Sequence, residues 1–216
     1  MELNEPNIRT GHPPHSRAKK KNRPSPFRIL SKVVLFITIF TLSFHLLDLT
    51  PGFNHRKETI QEILSVLERH RTGLASVTKE ELAEVIYEEA IRYNHDPRFI
   101  MALIFAESEF WNWAVSEKGA KGLMQIMPYV AQSLAQEMGI EWMGDRTLFN
   151  PFLNIRIGIY YLSRLILDFR DLRLAMTAYN YGPTYVKSLI ERKERIPFTY
   201  YHRLLTVYQN LYYQNL

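Results

Sequence analysis

The stretch DPRFIMALIFAESE, residues 96–109, decides the fold class of this chain. Asp96 can accept a hydrogen bond from the free backbone N–H groups that open a helix, and Pro97 has its φ already set for the first helical position. Phe99, Ile100, Leu103 and Ile104 then recur at the three- and four-residue spacing of one helix face. The pattern predicts an apolar helix from Pro97 to about Glu109. Its last turn carries Glu107, which follows Ile104 by three positions and Leu103 by four and so shares their buried face. Glu109 lies about 200° further round and faces elsewhere. A carboxyl held among apolar neighbours has a raised pKa. It keeps its proton near neutral pH and can serve as a general acid. Taken alone, a helix-terminal glutamate is more often a cap or a salt-bridge partner.

The same helical signals extend in both directions. Lys57–Thr72 carries Ile60, Ile63, Leu64 and Leu67 on one face. Thr78 and Glu81 form a capping box in front of Leu82, Val85, Ile86, Ala90 and Ile91. Pro128 opens a helix to about Met138, and Asn150-Pro151 opens one to about Phe169. Leu172–Tyr181 is a further helix, ended by Gly182-Pro183, and short helices follow to the C-terminus. No alternating strand pattern and no internal repeat is present. The chain after about residue 57 is expected to be all-α, with roughly eight helices.

Composition removes several function classes. With no cysteine, the chain has no disulfide framework, zinc ribbon, cysteine nucleophile or lipidated-cysteine anchor. The seven histidines are scattered without metal-ligand spacing, so no metal and no cofactor is expected. The net charge of +5 belongs to one end: residues 1–32 hold eight Lys/Arg and two acids, leaving 19 basic and 20 acidic residues in the remainder. A nucleic-acid footprint puts its basic residues on the folded face that binds, and this chain does not, so nucleic acid is discounted as a partner.

Residues 1–28 are rich in polar residues and proline and are expected to be a disordered, basic, cytoplasmic tail. Val33–Leu47 follows without a formal charge, and residues 29–49 have the length of a membrane-crossing helix. Lys32 can snorkel to the interface. Basic residues precede the span, so the positive-inside rule places the N-terminus in the cytoplasm and all after Pro51 outside. The competing reading, a cleaved signal peptide, would need a small-residue cleavage site that does not follow the apolar run. The expected organisation is tail 1–28, transmembrane signal anchor 29–49, linker and leading helix 50–76, and a catalytic domain at 77–216.

Two more segments join Glu107-Ser108 as candidates for chemistry. In Gly119-Ala120-Lys121-Gly122-Leu123-Met124-Gln125, two glycines let the backbone approach a ligand or another element, and Gln125 offers a carboxamide to a polar substrate. In Ala178-Tyr179-Asn180-Tyr181-Gly182-Pro183, a tyrosine and an asparagine stand at a helix end. Singly, these read as a turn and as a helix terminus with a buried tyrosine.

Together and in this order they resemble the soluble lytic transglycosylase (SLT) catalytic domain. Ala114-Val115-Ser116, Met127-Pro128, Asn150-Pro151 leading to Asn154-Ile155 and Gly158, and Tyr161-Leu162 match as well, so that the likeness covers about residues 90–205. The resemblance implies a lysozyme-like helical transglycosylase domain, here preceded by a single transmembrane helix and a disordered basic tail. It implies that Glu107 is the lone acid/base, cleaving peptidoglycan glycan strands between N-acetylmuramic acid and N-acetylglucosamine and leaving a 1,6-anhydromuramic acid end. It implies that Ser108, Met124 and Gln125 line the cleft, that Tyr179 hydrogen-bonds Glu107, and that Asn180 helps hold the site together. The partners implied are peptidoglycan and, through the N-terminal helix, the inner membrane, with the catalytic domain in the periplasm.

Two positions depart from the family pattern. Tyr181 stands where a small residue is usual, and the closing Pro-to-Tyr stretch at Pro197–Tyr200 is a residue short. Trp111, Trp113 and Trp142 could stack on sugars or pack at the rim. Glu109 and Glu117 read as solvated, and the tyrosine-rich 200–213 as the last core helix. Two rival activities use the same residues: a muramidase of the goose-lysozyme kind, which the Gly-Leu-Met-Gln and Ala-Tyr-Asn combination disfavours, and an inactive wall-binding module, which the intact Glu107, Gln125 and Tyr179 disfavour.

Overall fold

The computed structural model describes residues 26–48 and 51–213, which form two separate units. The first unit contains one helix, α1 (Pro26–Asp48), whose described apolar side chains are exposed. The tail predicted to be disordered lies outside the described residues up to position 25. Among the described residues no helix is long and apolar enough to cross a membrane. In α1 the described side chains are those of Phe27, Leu30, Ser31 and residues 33–41, so much of the predicted span 29–49 lies outside them.

The second unit is helical, as the sequence pattern predicts. It contains α2 (Pro51–Glu68), α3 (Lys79–Arg92), α4 (Pro97–Ser108), α5 (Pro128–Glu137), α6 (Asp145–Phe149), α7 (Pro151–Phe169), α8 (Leu172–Tyr181), α9 (Pro183–Glu191) and α10 (Thr199–Tyr213). These are nine helices among the described residues where roughly eight were expected. The addition is the five-residue α6, too short to show a period. α10 runs for 15 residues, over the tyrosine-rich 200–213 that read as the last core helix.

The starts follow from the caps. Thr78 Oγ1 accepts from Glu81 N at 3.1 Å while Thr78 N donates to Glu81 Oε2 at 2.9 Å. Asp96 Oδ1 accepts from Arg98 N at 2.9 Å, with Pro97 in the first turn of α4. Asn150 Oδ1 accepts from Phe152 N and Leu153 N, each at 3.1 Å.

α4 is the central helix. Ile100 through Ile104 are each 0% exposed, so the helix is covered on every side, packed by α2, α3 and α10. Burying a side chain of this size contributes about 1.5–3 kcal/mol. α4 ends abruptly because Glu109 and Phe110 take positive φ, 50° and 65°. That reversal leaves Glu107 in the final turn, beside the connection to α5.

This connection, residues 109–127, contains two isolated antiparallel bridges, Val115 with Lys121 and Lys121 with Ile126. It is held from below by Asn154 of α7, which is 0% exposed. Asn154 Oδ1 accepts from Met124 N at 2.8 Å, and its Nδ2 donates to Lys121 O at 3.0 Å and Leu148 O at 2.9 Å. Gly122 permits this closeness, because its φ is +81° and a Cβ there would lie 2.2 Å from Asn154 Nδ2.

Candidate active site

Glu107 is half-buried and lines a cleft of about 380 Å³ together with Ser116, Gln125, Met127, Tyr179 and Asn180. The cleft thus draws on α4, the bridged connection, and the end of α8. Burial pushes the Glu107 carboxyl above the ordinary carboxylate range, because the charged form loses hydration. Two groups from α10 oppose this. The Tyr200 hydroxyl donates a hydrogen bond to Glu107 Oε1, and the positive charge of Arg203 favours the carboxylate. Arg203 also donates from Nη2 to Ala106 O at 3.2 Å and lies over the Tyr200 ring at 5.2 Å. A carboxyl that holds its proton more tightly than usual, and whose ionised form is also stabilised, suits a group that gives up a proton and later takes one back.

Three expectations for the site residues need correction. Tyr179 does not hydrogen-bond Glu107: its hydroxyl donates to Met124 O at 2.8 Å, and the bond to Glu107 comes from Tyr200. Ser108 does not line the cleft. It is 8% exposed, and its hydroxyl is shared between Ile104 O at 3.1 Å and Leu123 O at 2.8 Å, tying α4 to the connection. Met124 is 0% exposed and points down onto Gly158 of α7. Its contribution is a backbone carbonyl that accepts from Tyr179. Ser108 follows Ile104 by four positions and continues its buried face, and Met124 sits in the tight turn Gly122–Gln125 that Asn154 holds onto α7.

Gln125 and Asn180 lie at the cleft. Gln125 Nε2 donates to Ala114 O at 3.1 Å and Gly122 O at 2.9 Å, which fixes its carboxamide. Glu109 and Glu117 are exposed, although Glu117 is on the cleft rim. Tyr181 packs aside, its ring 5.8 Å from that of Tyr185. Tyr200, Ser116 and Met127 are site residues that sequence reasoning missed as such. Ser116 and Met127 stood within the matching stretches, and Tyr200 within the stretch that read as a residue short.

Over 100 residues the chain is 32% identical to a protein of Haemophilus influenzae described as a putative soluble lytic murein transglycosylase, a match covering 46% of this chain and 17% of that one. Over 110 residues it is 34% identical to the membrane-bound lytic murein transglycosylase F of Desulfosudis oleivorans, covering 48% and 22%. The chain therefore matches under a quarter of the length of these two relatives. Its fold is that of the 70 kDa soluble lytic transglycosylase of Escherichia coli, at a TM-score of 0.50 and 24% identity over 74% of this chain and 29% of that structure. Residues 84–200, more than half of the chain, match the transglycosylase SLT domain, and this protein belongs to that family.

Proposed function

We propose that this chain is a peptidoglycan lytic transglycosylase. It would cleave the β-1,4 bond between N-acetylmuramic acid and N-acetylglucosamine and form a 1,6-anhydromuramic acid end. The observation that carries this reading is the single half-buried cleft carboxyl, Glu107, raised by burial and backed by Tyr200. The relatives' names supply the reaction class.

In the first step Glu107 gives its proton to the glycosidic oxygen as the bond to the muramic anomeric carbon breaks. The resulting carboxylate is held by the Tyr200 hydroxyl and the Arg203 charge. In the second step it takes the proton of the muramic 6-hydroxyl while that oxygen bonds to the anomeric carbon. Glu107 ends protonated, as it began, and no water is consumed. A two-carboxylate glycosidase would need a second acid positioned across the bond. Here the other cleft glutamate, Glu117, is solvated.

The test is mass spectrometry of muropeptides released from purified peptidoglycan, beside a Glu107→Gln control. Anhydro ends that vanish in the control are expected. Reducing ends would make the chain a muramidase, and no product from a folded, wall-binding chain would make it a tethering module.

The N-terminal segment fits a single-pass anchor over residues 29–49 in the inner membrane, with the catalytic domain in the periplasm. What supports this is the basic tail, the uncharged run Val33–Leu47, and the name of the membrane-bound relative. Alkaline carbonate extraction of membranes tests it: the chain stays in the pellet if anchored and is released if not.

A further inference from the structure

At the α8 border of the catalytic cleft the surface becomes aromatic. Asn180 lines the cleft, and Tyr181 follows it as the final residue of α8. Gly182 then takes a φ of 90° and turns the chain into α9. The turn brings Tyr185 back beside Tyr181, with ring centroids 5.8 Å apart and planes at 43°. A Cβ at Gly182 would meet nothing within 4 Å, so the corner itself is open. The two rings pack on each other and still face water: Tyr181 is 42% exposed and Tyr185 44%.

Exposed tyrosine is confined to this neighbourhood of the sequence. Among the described residues three tyrosines are exposed, Tyr129, Tyr181 and Tyr185. Tyr129 comes two positions after Met127 and Tyr181 one after Asn180, and both of those neighbours line the cleft. Tyr87, Tyr160, Tyr201 and Tyr208, on other helices, are half-buried. The turn at Glu117 and Lys118, which also borders the cleft, is charged instead. Tyr181 further stands where the family pattern has a small residue, so this surface is a feature of this chain.

A tyrosine ring is a flat, stiff apolar face with a polar edge, and two χ angles suffice to place it. A pyranose ring matches it, with C–H groups across one face and hydroxyls around the rim. Continuity supplies the occupant. A glycan strand with one bond at Glu107 is longer than a cleft of about 380 Å³ and must run on over the residues that border it. We propose that Tyr181 and Tyr185 form a stacking ledge that continues the cleft and takes a further sugar ring of the same strand. The ledge makes the enzyme favour long strands over short ones. The choice of ligand rests on the glycan-cleaving reading above.

The experiment is calorimetric titration of the full chain carrying Glu107→Gln with the hexamer and the dimer of N-acetylglucosamine, soluble stand-ins for long and short strands. The hexamer is expected to bind more tightly. Adding Tyr181→Ala should weaken the hexamer roughly tenfold, through the loss of one apolar ring face, and the dimer by less than about twofold. Tyr185→Ala, on a different helix, should act in the same direction. Tyr181→Phe keeps the ring and should retain the affinity for the hexamer. Thermal melting confirms that each variant is folded. Hexamer binding untouched by both alanine variants, equal losses for hexamer and dimer, or no hexamer binding at all overturns the proposal. Anhydro products from the wild type alongside any of those results would leave the reaction standing and remove only the ledge. Tyr181-dependent hexamer binding without any product would do the reverse.

Discussion

Asn154 offers a quantitative test of how the site is supported. Replacing it with alanine removes three hydrogen bonds, those with Met124 N, Lys121 O and Leu148 O, at a position that is 0% exposed. A buried group left unpaired costs about 1–3 kcal/mol, and three neighbouring losses do not add fully, so the total is about 4 kcal/mol. A domain of this size loses about 2–4 °C of Tm per kcal/mol, which predicts a fall of about 12 °C. Asn150→Ala is the matched control. It loses two bonds, but at an exposed helix cap, where the cost is about 1 kcal/mol and the fall about 3 °C. Thermal melting by circular dichroism reads both. Asn154→Ala melting within a few degrees of Asn150→Ala would refute the claim that this side chain holds the connection onto α7.

Tyr200→Phe removes the hydroxyl that steadies the Glu107 carboxylate. The carboxyl then keeps its proton to higher pH, so the limb of kcat/KM on which activity falls as Glu107 ionises should move upward in pH; a downward move contradicts the geometry. Gly158→Ala puts a Cβ 2.4 Å from Met124 Sδ and 2.7 Å from Met124 Cβ, an overpacking expected to cost about 1–3 kcal/mol in urea denaturation. Thr78→Ala dismantles the capping box of α3 and should cost about 1 kcal/mol with kcat unchanged, since Thr78 is not among the residues that line the cleft.

What the sequence revealed was local. Asp96, Thr78 and Asn150 announce their helices because a cap needs only neighbours two or three positions on, and those neighbours are read directly. Glu107 was legible for the same reason: its burial follows from its register with Leu103 and Ile104. The bond from Tyr200 to Glu107 spans 93 positions, and no short-range pattern records it. Helical spacing identified α10 as a core helix, which it is, but not which of its tyrosines ends at the carboxyl. Ser108 and Met124 went wrong for a different reason. Ser108 follows Ile104 by four positions, so the register of α4 already buries it, and it was the resemblance that drew it to the cleft; Met124 lies in a connection without helical period, held by Asn154 thirty positions on. The reversals at Glu109, Phe110 and Gln125 are silent too, because none of the three is a glycine.

The dependence of Glu107 on α10 has a consequence for the order in which the enzyme becomes competent. A polypeptide is made from its N-terminus. α4 and its acid therefore emerge long before residue 200 is available to meet it. Until the last helix docks, the acid lacks the hydroxyl and the cation that tune it. A truncated or half-delivered chain would carry the acid without its tuning, and the proposed transglycosylase activity would wait until α10 has docked.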